Sequence, residues 1–159
     1  MKRTNAPTAL VIIFTTAFAL GIAPKAQADE HDGCSNATLR GSFGYSSTGT
    51  TLDSYLPPPL AGPFAEVGKQ TFDGRGKTEA TATLSANGNP ATVTVEGTYA
   101  VNPDCTGSMT LHVSPFNSTV HAYFVIDDGG AELRAIVTDP NLIESRIYTK
   151  QFQGGRQGW

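Results

Sequence analysis

Two polar residues four apart, Glu66 and Gln70, interrupt the otherwise largely apolar run from Phe64 to Phe72. A carboxylate among apolar side chains costs several kcal/mol unless it is partnered, or else it keeps its proton. Flanked by an amide and by the phenol of Tyr45, such a group could serve as general acid or base. It could equally hold the polar end of a ligand. Everything depends on which side chains of this strand face inward, and the turn Asp73-Gly74-Arg75-Gly76 leaves two registers open. A two-residue turn at Gly74-Arg75 puts Ala65, Val67, Lys69 and Thr71 inside. A three-residue loop, Gly74-Arg75-Gly76, puts Phe64, Glu66, Gly68, Gln70 and Phe72 inside. The second register buries two phenylalanines and leaves Lys69 in water, and is preferred. The plainer alternative has Glu66 at a solvated rim, paired with Arg40 or Lys69.

Other chemistry-bearing residues are less informative. His31 falls in a polar leader, and His112 and His121 fall on outward faces, so no metal site is implied. Asp127-Asp128 precedes Gly129 and reads as turn chemistry. Glu132, Arg134, Glu144 and Arg146 are expected to form a solvated ion-pair face. No nucleophile elbow, P-loop or dinucleotide fingerprint occurs, and no cofactor is implied. Asn36-Ala37-Thr38 and Asn117-Ser118-Thr119 are sequons, which matter only in a host that glycosylates.

The start of the chain reads as a secretory signal peptide. Lys2 and Arg3 precede an apolar run from Ala9 to Ala23, and Ala26-Gln27-Ala28 is an A-x-A cleavage site. The run is short of the ~20 residues a membrane span needs. Cleavage after Ala28 would remove Lys2, Arg3 and Lys25, leaving 8 of the 11 basic residues against all 14 acidic ones. An acidic surface without a basic amphipathic helix excludes nucleic acid and anionic membrane as expected partners. Cys34 and Cys105 are the two cysteines of the chain. In the oxidising compartment that export implies they are expected to pair, with two free thiols as the alternative.

The elements that must position Glu66 are all strands. The strongest pattern is Val120–Val137, where Asp128-Gly129 reads as a two-residue hairpin turn. That register opposes Ile126 to Ala131, Phe124 to Leu133, Ala122 to Ala135 and Val120 to Val137 on a dry face. It puts His121, Tyr123 and Arg134 outward. Asn87-Gly88 predicts a second hairpin, with Leu84 facing Ala91, Ala82 facing Val93 and Ala80 facing Val95. A first strand from Leu39 carries Phe43 and Tyr45 on one face. A fifth turns Met109, Leu111 and Val113 inward. In the eighth, Ile143, Ser145 and Ile147 are expected inward, with Glu144, Arg146, Tyr148 and Lys150 outward. Thr50–Pro63 is irregular: Pro57 to Pro59 exclude a paired strand, so this apolar stretch is either a binding lid or a surface loop.

Eight strands joined mainly by tight turns, with one dry face, imply an all-β, antiparallel, up-and-down barrel; a two-sheet sandwich is the alternative. The expected organisation is a signal peptide over 1–28, a leader over 29–38, the barrel over 39–152 and a frayed tail over 153–159. Phe43, Phe64, Phe72 and Tyr99, with Tyr55 and Leu56 from the loop, are the expected ligand contacts. Glu66, Gln70 and Tyr45 are the catalytic candidates.

Gly41-Ser42-Phe43-Gly44-Tyr45, Thr71-Phe72-Asp73-Gly74, Gly97-Thr98-Tyr99, Asn102–Gly107 and Phe124–Gly130 together resemble a group of small exported bacterial proteins. The architecture is similar to the allene oxide cyclase and dirigent-like barrels. That resemblance implies a small hydrophobic molecule held inside the barrel, and relatives that include cofactor-free cyclising enzymes. It brings no residue-by-residue match to their catalytic sets. Three readings follow: a hydrophobic-ligand binder, a cofactor-free cyclase or isomerase, and a filled barrel acting as a structural or interaction module.

Overall fold

A computed structural model describes residues 33–52 and 59–152. The signal-peptide and tail expectations, His31, Tyr55 and Leu56 lie outside these residues. Alternating apolar and polar positions give eight strands: β1 (Gly41–Thr51), β2 (Pro63–Phe72), β3 (Lys77–Ala86), β4 (Asn89–Val101), β5 (Thr106–Ser114), β6 (Ser118–Asp127), β7 (Glu132–Val137) and β8 (Leu142–Lys150). Each pairs antiparallel with its neighbour in sequence. β1 pairs with β8 from Phe43–Lys150 to Thr51–Leu142, which closes the barrel. Closure leaves no strand edge unpaired.

The turns set the phase. Asn87 and Gly88 both take positive φ, and Leu84, Ala82 and Ala80 oppose Ala91, Val93 and Val95. At the β2–β3 turn, the Asp73 carboxylate accepts from the Arg75 and Lys77 amides at 2.7 and 2.9 Å. Asp73 and Lys77 thus flank a three-residue loop, and Phe72 opposes Thr78. This register buries Glu66, Gln70 and Phe72 and exposes Lys69.

Two expectations are corrected. In the β6–β7 hairpin, Ile126 opposes Leu133, Phe124 opposes Ala135 and Ala122 opposes Val137, two residues out of the expected register. The connection is a 3-10 turn, Asp128–Gly130, followed by Ala131, with all three turn residues at positive φ. The longer turn packs on the N-terminal segment: a Cβ at Gly130 would lie 2.7 Å from the Thr38 carbonyl oxygen. A shift of two preserves the side-chain phase, so the dry face survives and His121, Tyr123 and Arg134 stay outward.

The second correction inverts β8. Leu142, Glu144, Arg146 and Tyr148 point inward, whereas Ile143 and Ile147 are exposed. Glu132 and Arg134 do form an outer pair at 2.8 Å. Glu144 and Arg146 do not share that face; they are paired inside the barrel. The reason is the closing register, which sets Tyr148 opposite Tyr45 and Arg146 opposite Ser47, next to Glu66. A buried carboxylate on β2 is thereby given a cation two strands away.

The two ends of the barrel differ. At one end a 3-10 turn, Asn36–Leu39, acts as a plug with Leu39 fully buried. The Asn36 side chain accepts from the Val101 amide at 2.8 Å, and its carbonyl accepts from the Tyr99 hydroxyl at 3.1 Å. A Cys34–Cys105 disulfide fastens the plug. Joining residues 71 apart in sequence, it stabilises by about 4 kcal/mol in the chain-entropy description. The opposite end, where β2, β4, β6 and β8 begin, holds a cavity.

Candidate functional site

The cavity has a volume of about 50 Å³ and opens at the unplugged end. Its walls are apolar: Phe64, Leu84, Val93, Val95, Val113, Phe116, Val120 and Leu142. Charged groups line it as well: Glu66 and Arg146 at the floor, and Glu144 one step nearer the mouth. The paired strands explain this convergence. Ser47 on β1 lies between Glu66 on β2 and Arg146 on β8, and two positions nearer the mouth Gly49 lies between Phe64 and Glu144.

Two glycines make room for the aromatic rings. A Cβ at Gly49 would lie 2.7 Å from the Phe64 ring, so that ring lies across β1. A Cβ at Gly68 would lie 2.7 Å from Tyr45 Cε1 and 2.6 Å from Ala82 Cβ, so Tyr45 leans across β2. From there the Tyr45 hydroxyl donates to Glu66 Oε1. Arg146 Nε donates to Glu144 Oε1, and the guanidinium carbon sits 5.4 Å from the Tyr45 ring centroid, within cation–π range.

Both Glu66 and Arg146 are deeply buried, 8% and 6% exposed. Burial pushes the Glu66 carboxyl above the usual range; Arg146 and the Tyr45 hydroxyl pull it partly back, and Glu144 adds to the rise. Burial, together with the adjacent Glu66, also raises the Tyr45 phenol, which stays a donor. Burial works against the charge on Arg146, and its surroundings outweigh that effect. Among the described residues, four buried side-chain polar atoms lack a well-formed hydrogen bond: Ser47 Oγ, Gln70 Oε1, Arg146 Nη1 and the Tyr148 hydroxyl. The last two belong to neighbouring side chains: burial raises the Tyr148 phenol, and the Arg146 guanidinium beside it pulls it partly back. Native interiors rarely leave such atoms unmatched, so each calls for an explanation.

The structure joins Tyr45 to Glu66 but places Gln70 elsewhere. Gln70 Nε2 donates to Thr78 Oγ1 at 2.9 Å, and Gln70 does not line the cavity. Of the described aromatic candidates only Phe64 lines the mouth. Phe43, Phe72 and Tyr99 pack edge-on toward the plug, with ring centroids 5.4 and 5.1 Å apart. Sequence reasoning missed Glu144 and Arg146, because Ile143 and Ile147 made the other face of β8 look like the dry one. The usable signal was Glu66 itself: a buried carboxylate needs a cation, and among the described residues Arg146 is the buried one.

No family model matches the chain, and no curated protein matches it. Among solved structures it is similar to a redesigned β-barrel, b11L5F_LGL, at 17% identity and a TM-score of 0.47, over 74% of this chain and 95% of that one. It is also similar to EF1p2_mFAP2b bound to DFHBI, at 13% identity and a TM-score of 0.47, over 72% of this chain and 94% of that one.

Proposed function

We propose that this barrel binds a small hydrophobic molecule at its open end, outside the cytosol. The observation that carries the reading is the charged floor beneath an apolar mouth. Two carboxylates and a guanidinium inside a barrel cost several kcal/mol in desolvation. A barrel serving only as a scaffold is as stable with apolar side chains there. The cavity is small beside the ~300–1,000 Å³ of drug-sized pockets. The ligand therefore inserts one end, and its body lies between Phe64 and Phe116 at the rim. The disulfide supports an oxidising compartment, in keeping with the A-x-A site at Ala26–Ala28.

Titration with the uncharged fluorophore N-phenyl-1-naphthylamine tests this. Saturable enhancement with the parent protein, lost on Val95→Trp, is expected. Absence of saturable binding, together with no co-purifying molecule in native mass spectrometry, would return the protein to the filled-barrel reading.

Acid–base catalysis at the same site is a second reading, favoured by one observation: Glu66, with its raised pKa and its Tyr45 partner, lines the cavity. If it holds, Glu66→Gln abolishes turnover and leaves probe binding intact.

A further inference from the structure

We infer that the outward face of β6, β7, β8 and β1 is the contact surface of a two-fold dimer, formed with a second copy of this chain. The inference is independent of what the mouth binds.

Five large apolar side chains stand in water on this face: Tyr123, Val125, Ile136, Ile143 and Ile147, between 40% and 61% exposed. The strand registers make them neighbours. Tyr123 opposes Ile136, and one row nearer the plug Arg134 lies between Val125 and Ile147. Small hydroxyl residues continue both rows: Ser145 joins Ile136 to Thr48, and Ser46 opposes Ile147. Ile143 extends the face toward the mouth. Arg134 is the single charge within the two rows, and Glu132 and Asp127 compensate it at 2.8 and 3.5 Å. The opposite side of the barrel, β3 and β4, instead turns Lys77, Glu79 and Glu96 to solvent.

Size and charge select the occupant. The five side chains expose on the order of 500 Å² of mostly apolar surface, near the upper end for a monomer. With Arg134 and the hydroxyls between them, the face approaches the ~800 Å² that each partner contributes to a standard interface. A two-fold contact must be complementary to itself. This face is: neutral rows laid on neutral rows bury no like charges, and Arg134 brings its own counter-ions. A nucleic acid or an anionic membrane finds no basic patch here. The core is already buried within one chain, so association adds to a finished barrel and a dilute sample reports the monomer alone.

Sedimentation velocity of the secreted protein, from micromolar to hundreds of micromolar, tests this. A reversible shift from monomer to dimer is expected. Ile136→Lys should weaken the dimer about tenfold or more, because it would bury an ammonium in an apolar contact. Val67→Lys is the control. Val67 is 63% exposed but lies on β2, beyond β1 and outside the face, so its variant should dimerise like the parent. In the parent, methyl resonances of Ile136 and Ile147 should shift with concentration while those of Val67 stay still, which decides the matter even where a variant fails to fold. Monomer at every concentration leaves the face to a different protein and overturns the inference. Assembly beyond the dimer, equal loss with both substitutions, or shifts confined to another face overturns it as well.

Discussion

Glu66 is the residue whose protonation the fold controls most directly. Its carboxyl lies above the usual range, chiefly through burial, so the native state holds its proton more tightly than the unfolded chain does. That contribution to stability is complete below the ordinary carboxylate range and is lost as pH rises through the folded pKa. Glu66→Gln cannot ionise, and its amide oxygen still accepts from Tyr45. The variant should therefore gain stability relative to the parent on going from about pH 4 to about pH 8. Urea melts at the two pH values give the difference. A constant or shrinking advantage would mean that Glu66 is ionised at little cost in the fold. Arg146 limits the size of the effect, since it favours the charged form that burial opposes.

At the scale of the element, β8 shows how far the sequence is legible. β3 and β4 were readable because Asn87-Gly88 permits one turn, and that turn pins every pair after it. β2 is readable through the three-residue loop Gly74–Gly76, which sets the inward place of Glu66. β8 misled because hydropathy is a poor guide where a barrel stores polar groups inside. Its set Leu142, Glu144, Arg146, Tyr148 looks wetter than Ile143, Ser145, Ile147, yet it faces the core. Only closure onto β1, a pairing between the two ends of the barrel sequence, reveals the phase, and no local pattern encodes it. The two faces can be told apart by mutation. Ile147, 54% exposed, should tolerate Thr with a change of about 0.5 kcal/mol or less. Tyr148, fully buried between Tyr45 and Phe72, should lose roughly 3 kcal/mol or more as Ala. Chemical denaturation measures both, and a reversed order would restore the hydropathy phase.

Across the whole molecule, the barrel is asymmetric in how tightly its ends are held. The plugged end combines a disulfide, the buried Leu39, the Asn36 clasp on β4 and the rings of Phe43, Phe72 and Tyr99. The mouth has a cavity in place of packed side chains, and atoms around a void lose part of their dispersion contacts. Opening fluctuations should therefore begin at the mouth, although the hydrogen-bonded ladder is continuous around the barrel. Ladder amides near Val93, Val120 and Leu142 are expected to exchange with deuterium faster than those near Phe72, Met109 and Phe124. A ligand seated in the mouth binds only the closed native form, so saturating N-phenyl-1-naphthylamine should slow the mouth amides most, by mass action. Reduction of the disulfide should act at the other end, accelerating exchange near Phe72 and Phe124 first. Uniform exchange at both ends, with no localised response to probe or reductant, would mean that the barrel opens only as a unit. The division into an anchored end and a binding end would then have no counterpart in its motions.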